Sequence, residues 1–162
     1  MDPYRQVADK LDSLGIEYEV VEHEPTLDVE TADKYIEGVK GVRTKTMFLT
    51  NKKKTAYFLA IMDEFKRMDL AGFEEITGTK RIKMASENSL VEKLKLIPGM
   101  VSPFGLMNNE ERDIKVYIDE DIINEKRMCF FPNTNDKTLF LDTSDFLRFL
   151  EDLGYEVNVV KL

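Results

Sequence analysis

The chain is poor in the residues that build self-sufficient catalytic or redox centres. Its 162 residues include one cysteine, one histidine and no tryptophan. The single Cys129 excludes an intramolecular disulfide, and with His23 alone beside it no Cys/His zinc site is available. The sequence also lacks Gly-rich phosphate-loop motifs, HExxH, GxSxG and the EF-hand pattern. We therefore expect neither a metal nor a cofactor.

Long apolar runs are missing as well. No run approaches the ~20 residues that span a bilayer, and the polar start of the chain is unlike a targeting leader. We expect a cytoplasmic protein. A hydrophobic content of 43% over 162 residues is enough for one compact domain with a real core, over residues 1–162.

Charge is distributed unevenly along the chain. The net charge of −8 argues against a nucleic-acid partner, yet residues 40–95 hold 13 of the 23 Lys and Arg and only 7 of the 31 Asp and Glu. Such segregation gives an acidic protein one basic face suited to phosphates, unless Lys52–Lys54 and Lys80–Arg81 are merely solvated turns. Both interpretations stay open. Adjacent acidic pairs, Asp63–Glu64 among them, are expected to be solvated rather than an acid/base dyad.

Hydrophobic periodicity predicts a mixed α/β domain. Helices are predicted near residues 3–14, 31–39, 68–76, 86–94, 121–124 and 144–153, the second capped by Asp28 or Thr31 and the fourth by Ser86. Two hairpins, 46–62 and 128–141, outnumber the crossovers. We expect a mostly antiparallel sheet of six or seven strands surrounded by helices.

The segment 96–106 combines two prolines, two glycines and a serine within an apolar run. This composition predicts a stiff, irregular loop rather than a helix or strand. Its amide N–H groups from Gly99 to Ser102 are candidates to bind a carbonyl or phosphate oxygen. A tight structural connection is the alternative that composition alone favours.

Two reactive side chains need separate consideration. His23 is a candidate to orient a substrate or act as a base, although a lone histidine after a strand is more often structural. Cys129 lies in an apolar strand, which predicts a buried, inert thiol.

Several short motifs, in order, resemble the free-standing prolyl-tRNA editing domains of the YbaK type, and particularly the branch that hydrolyses Ala-tRNA(Pro). The resemblance covers nearly the whole chain. Its carriers are His23-Glu24-Pro25-Thr26, Lys45-Thr46-Met47-Phe48-Leu49, Met84-Ala85-Ser86-Glu87 and Gly99-Met100-Val101-Ser102-Pro103 followed by Phe104-Gly105-Leu106-Met107-Asn108. The Gly99–Pro103 stretch looks like the GxxxP loop of that family.

The resemblance implies a function and a set of site residues. It implies a YbaK-like fold and a metal-independent aminoacyl-tRNA hydrolase. The implied partner is the acceptor end of tRNA(Pro), and whether prolyl-tRNA synthetase is a second partner stays open. The implied catalytic residues are Lys45, Gly99, Ser102 and Pro103. The implied substrate-binding residues are Val21, His23, Thr26, Thr46, Ser86, Met100, Val101 and Phe131.

Two positions depart from the family pattern. Phe131 stands before Pro132-Asn133 where many members have histidine, and Thr46 stands where others often carry asparagine. These departures leave open a related Cys-tRNA or Ser/Thr-tRNA deacylase, or a tRNA-binding protein with weakened catalysis. A protein-interaction domain without an RNA partner remains a further alternative, which the net charge favours.

Overall fold

The computed structural model of the chain describes residues 2–26 and 29–162. The helices are α1 (Pro3–Ser13), α2 (Val29–Tyr35), α3 (Leu70–Thr77), α4 (Glu87–Leu94), the 3₁₀ helix Pro103–Asn108, α5 (Glu120–Ile123) and α6 (Thr143–Asp152). The strands are β1 (Tyr18–Glu22), β2 (Val42–Asn51), β3 (Tyr57–Asp63), β4 (Ile82–Met84), β5 (Ile114–Asp119), β6 (Arg127–Phe130), β7 (Lys137–Asp142) and β8 (Val157–Val160).

The eight strands form one mixed sheet. Their order is β1-β7-β6-β2-β3-β5-β8, and β4 pairs with β2 outside this path. The pairs β1–β7, β2–β3, β2–β4 and β6–β7 are antiparallel, whereas β2–β6, β3–β5 and β5–β8 are parallel. Because parallel neighbours need long crossovers, the helices lie between strands in sequence. The mixed α/β class and both predicted hairpins are confirmed, with eight strands in place of six or seven.

Strand β2 changes its partner along one edge. Strand β3 pairs with it over residues 44–50. On the opposite edge β6 pairs only with residues 42–43, and β4 only with residues 49–51. No described strand therefore covers that edge over residues 44–48. The sheet has a gap there, between the ends of β6 and β4.

The predicted loop at 96–106 is only partly irregular. From Pro103 onward the chain forms a 3₁₀ helix, so the expectation of no helix is wrong for this half. Proline suits the first position of a helix because its missing N–H has no partner there in any case. Ser102 caps the helix, since its hydroxyl oxygen accepts a hydrogen bond from the N–H of Phe104 at 3.2 Å.

Two predicted caps have different outcomes. Ser86 caps α4 as predicted, because its Oγ accepts a hydrogen bond from the N–H of Ser89 at 3.1 Å. Thr31 does not cap α2, since the helix already begins at Val29 and Thr31 lies inside it. The other candidate, Asp28, lies outside the described residues.

Aromatic rings fix the 3₁₀ helix to the core. Phe104 is fully buried and packs edge-on against Phe149 at 5.2 Å, Phe130 at 5.8 Å and Phe146 at 6.2 Å between ring centroids. Such aromatic pairs contribute about 0.5–1.5 kcal/mol each beyond their buried area. The loop that precedes Phe104 is thereby held against β6 and α6.

None of the described helices is long and apolar enough to span a membrane.

Replacing Gly105 with alanine tests the close packing of this helix. An added Cβ would lie 2.8 Å from Leu96 Cδ1 and 3.2 Å from Leu94 Cβ, so the core must shift. We expect Gly105→Ala to lower the free energy of unfolding by about 1–3 kcal/mol in chemical denaturation. The control is the same substitution in a Leu96→Val background, where the nearest methyl is gone and the loss should be smaller. Strictly additive losses would contradict the steric explanation.

Candidate active site

A cavity of about 300 Å³ occupies the gap in the sheet. Its walls come from β2, from the end of β6, from the segment between β4 and α4, from the loop before the 3₁₀ helix, and from α2. The main lining residues are Thr44, Lys45, Thr46, Met84, Ala85, Ser86, Pro98, Gly99, Val101, Phe130, Phe131, Thr138, Asp33 and Glu64. Most of the wall is apolar, and its polar residues come from β2, β7, α2, the start of α4 and the end of β3.

Lys45 and Thr46 lie side by side on β2 at the open edge. Their backbone is held by β3, where Lys45 is paired with Met62 and Thr46 with Ile61. Both residues line the cavity and both are partly exposed. Among the described residues the Lys45 ammonium forms no ion pair, which leaves its charge available to a ligand.

The loop before the 3₁₀ helix forms another part of the wall through Gly99 and Val101. Gly99 adopts φ +84°, a left-handed conformation that suits glycine. The N–H of Met100 donates to the carbonyl of Ile97 at 3.2 Å. No hydrogen bond within the described part of the chain involves the N–H groups of Gly99, Val101 or Ser102. Of these donors, those of Gly99 and Val101 belong to lining residues and could therefore bind an oxygen atom of a ligand.

Ser102 anchors the loop rather than facing the cavity. It is fully buried, and its hydroxyl donates to the carbonyl oxygen of Phe131 at 2.6 Å. The same hydroxyl oxygen caps the N–H of Phe104. Since both hydrogen-bonding directions are occupied, Ser102 has a structural role that couples the loop to the end of β6.

His23 lies behind the cavity wall. Its Nδ1 is 2.9 Å from the carbonyl oxygen of Glu24, and its Nε2 is 2.9 Å from the hydroxyl of Thr138. Because a carbonyl only accepts, Nδ1 donates to Glu24, while Nε2 pairs with the Thr138 hydroxyl. The ring stacks on Tyr35 and lies edge-on to Phe131. His23 thus positions two lining residues without lining the cavity itself.

The structure brings half of the twelve predicted site residues to the cavity wall. These are Lys45, Thr46, Ser86, Gly99, Val101 and Phe131. The other six lie outside the lining: Ser102 and His23 as described, Pro103 and Met100 buried in the core, Val21 packed near Ile36 and Cys129, and Thr26 with its N–H bonded to Asn135 O at 3.0 Å.

Three acidic residues in the cavity wall, Asp33, Glu64 and Glu87, were not predicted as site residues. Asp33 comes from α2 and Glu64 directly follows β3. The expectation that Glu64 is solvated is wrong, because both of its carboxyl oxygens are buried and accept no hydrogen bond from the described residues. The one feature of the sequence that pointed to Glu64 was its position directly after a strand predicted to be buried. Only the strand order shows that this end of β3 adjoins the gap.

The environment of Glu64 raises its pKa. Burial is the largest cause, the neighbouring Asp33 carboxyl is the second, and together they raise the pKa to about 8, against the opposing charge of Arg43. The Arg43 guanidinium donates to the carbonyls of Ile36, Val39 and Gly41 at 2.8 Å each. Arg43 therefore acts on Glu64 through its charge alone.

Cys129 lines the cavity but is unreactive. Burial raises the pKa of its thiol to about 11, so the thiolate is scarce near neutral pH. This confirms the predicted buried thiol. Groups of three or more His, Cys, Asp or Glu able to hold a metal do not occur among residues 2–26 and 29–162.

The fold and the cavity define a class of small α/β domain in which a lysine and a loop of unpaired backbone donors line a small, largely apolar pocket. The profile of the aminoacyl-tRNA editing domain matches residues 23–149. This chain belongs to that family. As a member it is an aminoacyl-tRNA deacylase by class, an enzyme that hydrolyses a carboxylic ester.

Full-length relatives narrow the comparison. The chain is 31% identical over 163 residues to the prolyl-tRNA editing protein ProX of Acetoanaerobium sticklandii, covering 100% of this chain and 99% of that protein. It is 30% identical to prolyl-tRNA synthetase associated domain-containing protein 1 of Bos taurus, covering 91% and 88%.

One of the similar solved structures is described as a candidate trans-editing enzyme for prolyl tRNA synthetase. It has a TM-score of 0.75 and 20% identity, covering 100% of this chain and 98% of that one. At this identity the likeness shows a shared fold.

The raised pKa of Glu64 predicts a pH-dependent stability. The carboxyl ionises near 4.5 in the unfolded chain and near 8 in the folded one, so the folded state binds its proton more tightly. The resulting stabilisation is complete below pH 4.5 and is lost as pH rises through about 8. We expect Glu64→Gln to remove this loss in denaturation curves measured from pH 5 to 9. The exposed control Glu75→Gln should follow the wild type, and parallel curves for all three would contradict the assignment.

Proposed function

We propose that this protein is a trans-acting deacylase that hydrolyses the ester of mischarged Ala-tRNA(Pro). One observation carries the proposal: Lys45 and the loop residues Gly99 and Val101, whose N–H groups are unpaired among the described residues, line one cavity of about 300 Å³ at the gap in the sheet. Its relatives named as prolyl-tRNA editing proteins support the choice of tRNA(Pro).

The loop supplies the stabilisation of charge. Attack of water on the ester carbonyl places negative charge on the carbonyl oxygen, and the N–H groups of Gly99 and Val101, which line the cavity, are the donors for it. Each such donor contributes about 3 kcal/mol in other acyl-transfer sites. Pro103 and the Ser102 hydroxyl keep the loop in place through the 3₁₀ helix and the bond to Phe131. The donors are thus positioned before substrate binds.

Lys45 binds the nucleotide end of the substrate. Its unpaired ammonium lies at the open edge of β2, where a terminal phosphate or ribose hydroxyl would enter the cavity. Water is activated by a ribose hydroxyl of the substrate and by loop groups, without a metal. The position of the one imidazole of the chain supports this part of the proposal, because the ring is bonded to Glu24 and Thr138 outside the cavity.

The cavity wall sets amino-acid preference. Phe131 and Val101 narrow the pocket, and Thr46 and Ser86 add hydroxyl groups to it. The cavity must hold the aminoacyl group together with part of the terminal ribose. The methyl group of alanine leaves room for this ribose, whereas the larger ring of proline would occupy the same space. This is the principle of a double sieve, in which the editing site hydrolyses the smaller amino acid that the synthetase cannot exclude by size.

A basic edge of the sheet suits the RNA backbone. Pairing of β4 with β2 joins Thr50 to Lys83 and Asn51 to Ile82, so the turn Lys52–Lys54 lies next to the segment Lys80–Arg81. The two basic segments predicted separately therefore share one edge. That edge lies roughly seven residues, or about 23 Å, along β2 from Lys45. We assign it to phosphates of the tRNA acceptor stem, with prolyl-tRNA synthetase as a second partner.

Release of labelled alanine from Ala-tRNA(Pro) tests the proposed function. We expect fast release with Pro-tRNA(Pro) spared, and at least about a 100-fold lower kcat/KM for Lys45→Ala, because that variant loses a charge interaction with the substrate. The control Lys115→Ala changes an exposed lysine on β5 and should retain full activity. Chelation should leave the rate unchanged.

Three other outcomes would redirect the proposal. Preferential release of cysteine, serine or threonine from tRNA would indicate a related deacylase. Salt-sensitive tRNA binding without release of any amino acid would indicate a binding protein on an editing fold. Absence of both binding and release would contradict an RNA substrate altogether.

Phe131 provides a test of the size sieve. Because its ring forms part of the wall, Phe131→Ala should enlarge the cavity and raise kcat/KM for Pro-tRNA(Pro) by about 10-fold or more relative to Ala-tRNA(Pro). Phe131→Leu conserves apolar bulk and should keep the wild-type preference. Unchanged discrimination in Phe131→Ala would show that other walls exclude proline.

A further inference from the structure

The cavity contains a carboxyl group that receives no hydrogen bond from an N–H donor of the described residues. Glu64 follows β3, and its N–H donates to the Arg43 carbonyl at 2.9 Å, which extends the β2–β3 ladder by one residue. This bond fixes the backbone so that the side chain borders the cavity. Both Oε atoms are buried, and no N–H donor of the described residues reaches them; the neighbouring Asp33 carboxyl can pair with Glu64 only while one of the two is protonated. Burial without a donor disfavours the ionised form of such a carboxyl group, and a ligand that brings N–H donors would favour it.

The groups around Glu64 provide no hydrogen-bond donor to its ionised form. Arg43 directs its N–H groups to three backbone carbonyls. Lys45, on the same wall, is in no ion pair among the described residues. Asp33 adds a second carboxyl group on the same side of the cavity, which makes the site more acidic still. The arrangement is therefore complementary to a cation that carries several N–H donors.

We propose that Glu64, together with Asp33, binds the α-ammonium group of the aminoacyl ester. This inference rests on the proposed function, because it takes the substrate to be an amino acid esterified to tRNA. An α-ammonium is one carbon from the ester carbonyl and presents three N–H donors, enough for both carboxyl groups. With the carbonyl oxygen at the 99–102 loop, the ammonium would lie toward the β2 and α2 walls.

The inference defines a substrate class. The site should accept amino-acid esters with a free α-amine and reject esters whose α-nitrogen is acylated, because an amide nitrogen brings no charge and would leave both carboxyl groups unpaired. Glu64 would then be a substrate-binding residue. A general base at the same position would instead affect all esters alike.

Binding of stable substrate analogues tests the inference directly. The probes are 3′-deoxy-3′-(L-alanylamino)adenosine, which carries the α-ammonium, and its 3′-propionylamino counterpart, which lacks it. We expect wild-type protein to bind the first about 10- to 100-fold more tightly in calorimetric titrations. Glu64→Gln should lose this preference while its affinity for the propionyl compound stays unchanged. The exposed variant Glu75→Gln should behave as the wild type.

A kinetic experiment separates binding from proton transfer. Alanyl-tRNA and N-acetylalanyl-tRNA are compared as substrates, and Glu64→Gln should raise KM for the first by about 10- to 100-fold without affecting the second. An equal loss of kcat on both esters would overturn the inference in favour of a general base. Equal affinity of the wild type for the two adenosine probes would overturn it as well.

The two proposals fail in different ways. If the wild type hydrolyses Ala-tRNA(Pro) but does not prefer the ammonium-bearing probe, the deacylase function stands and the ammonium site is wrong. If it prefers that probe, and Glu64→Gln abolishes the preference, but no aminoacyl-tRNA is hydrolysed, the ammonium site stands and the deacylase function is wrong.

Discussion

The change of partner along β2 is the constraint on which the site depends. One edge of this strand is fully paired with β3, while the other edge pairs first with β6 and then with β4. A strand edge without a partner exposes polar backbone groups and is normally short or covered. Here α2, the loop before the 3₁₀ helix and the end of β6 surround the gap. The cavity is thus built into the sheet rather than added by a flexible loop.

Preorganisation of the 99–102 loop follows from the same geometry. The Ser102 hydroxyl bonds to the Phe131 carbonyl at the end of β6, and Phe104 packs among the rings behind it. The loop that offers free N–H groups is therefore anchored to the strand that borders the gap. Donors fixed in this way stabilise a developing oxyanion without reorganising during the reaction.

The acidic side of the cavity shows how the fold gives one residue an unusual environment. Glu64 is buried by the elements around the gap, while Arg43 is bound by the chain after α2. The carboxyl group therefore has a nearby positive charge but no hydrogen-bond donor. A substrate that brings its own donors completes the site, which joins recognition of the amino group to hydrolysis of the ester beside it.

The sequence by itself determined the mixed α/β class, both hairpins, the Ser86 cap, the buried Cys129 and the family, because these depend on local periodicity, turn residues and short motifs. It also indicated Lys45 and the 99–103 loop as candidates. Only the tertiary structure decided that Glu64 is buried at the cavity, that Ser102 is an anchor and that His23 stands behind the wall. These facts depend on which strand edges meet across the gap, and strand pairing between distant segments leaves no signal in local sequence.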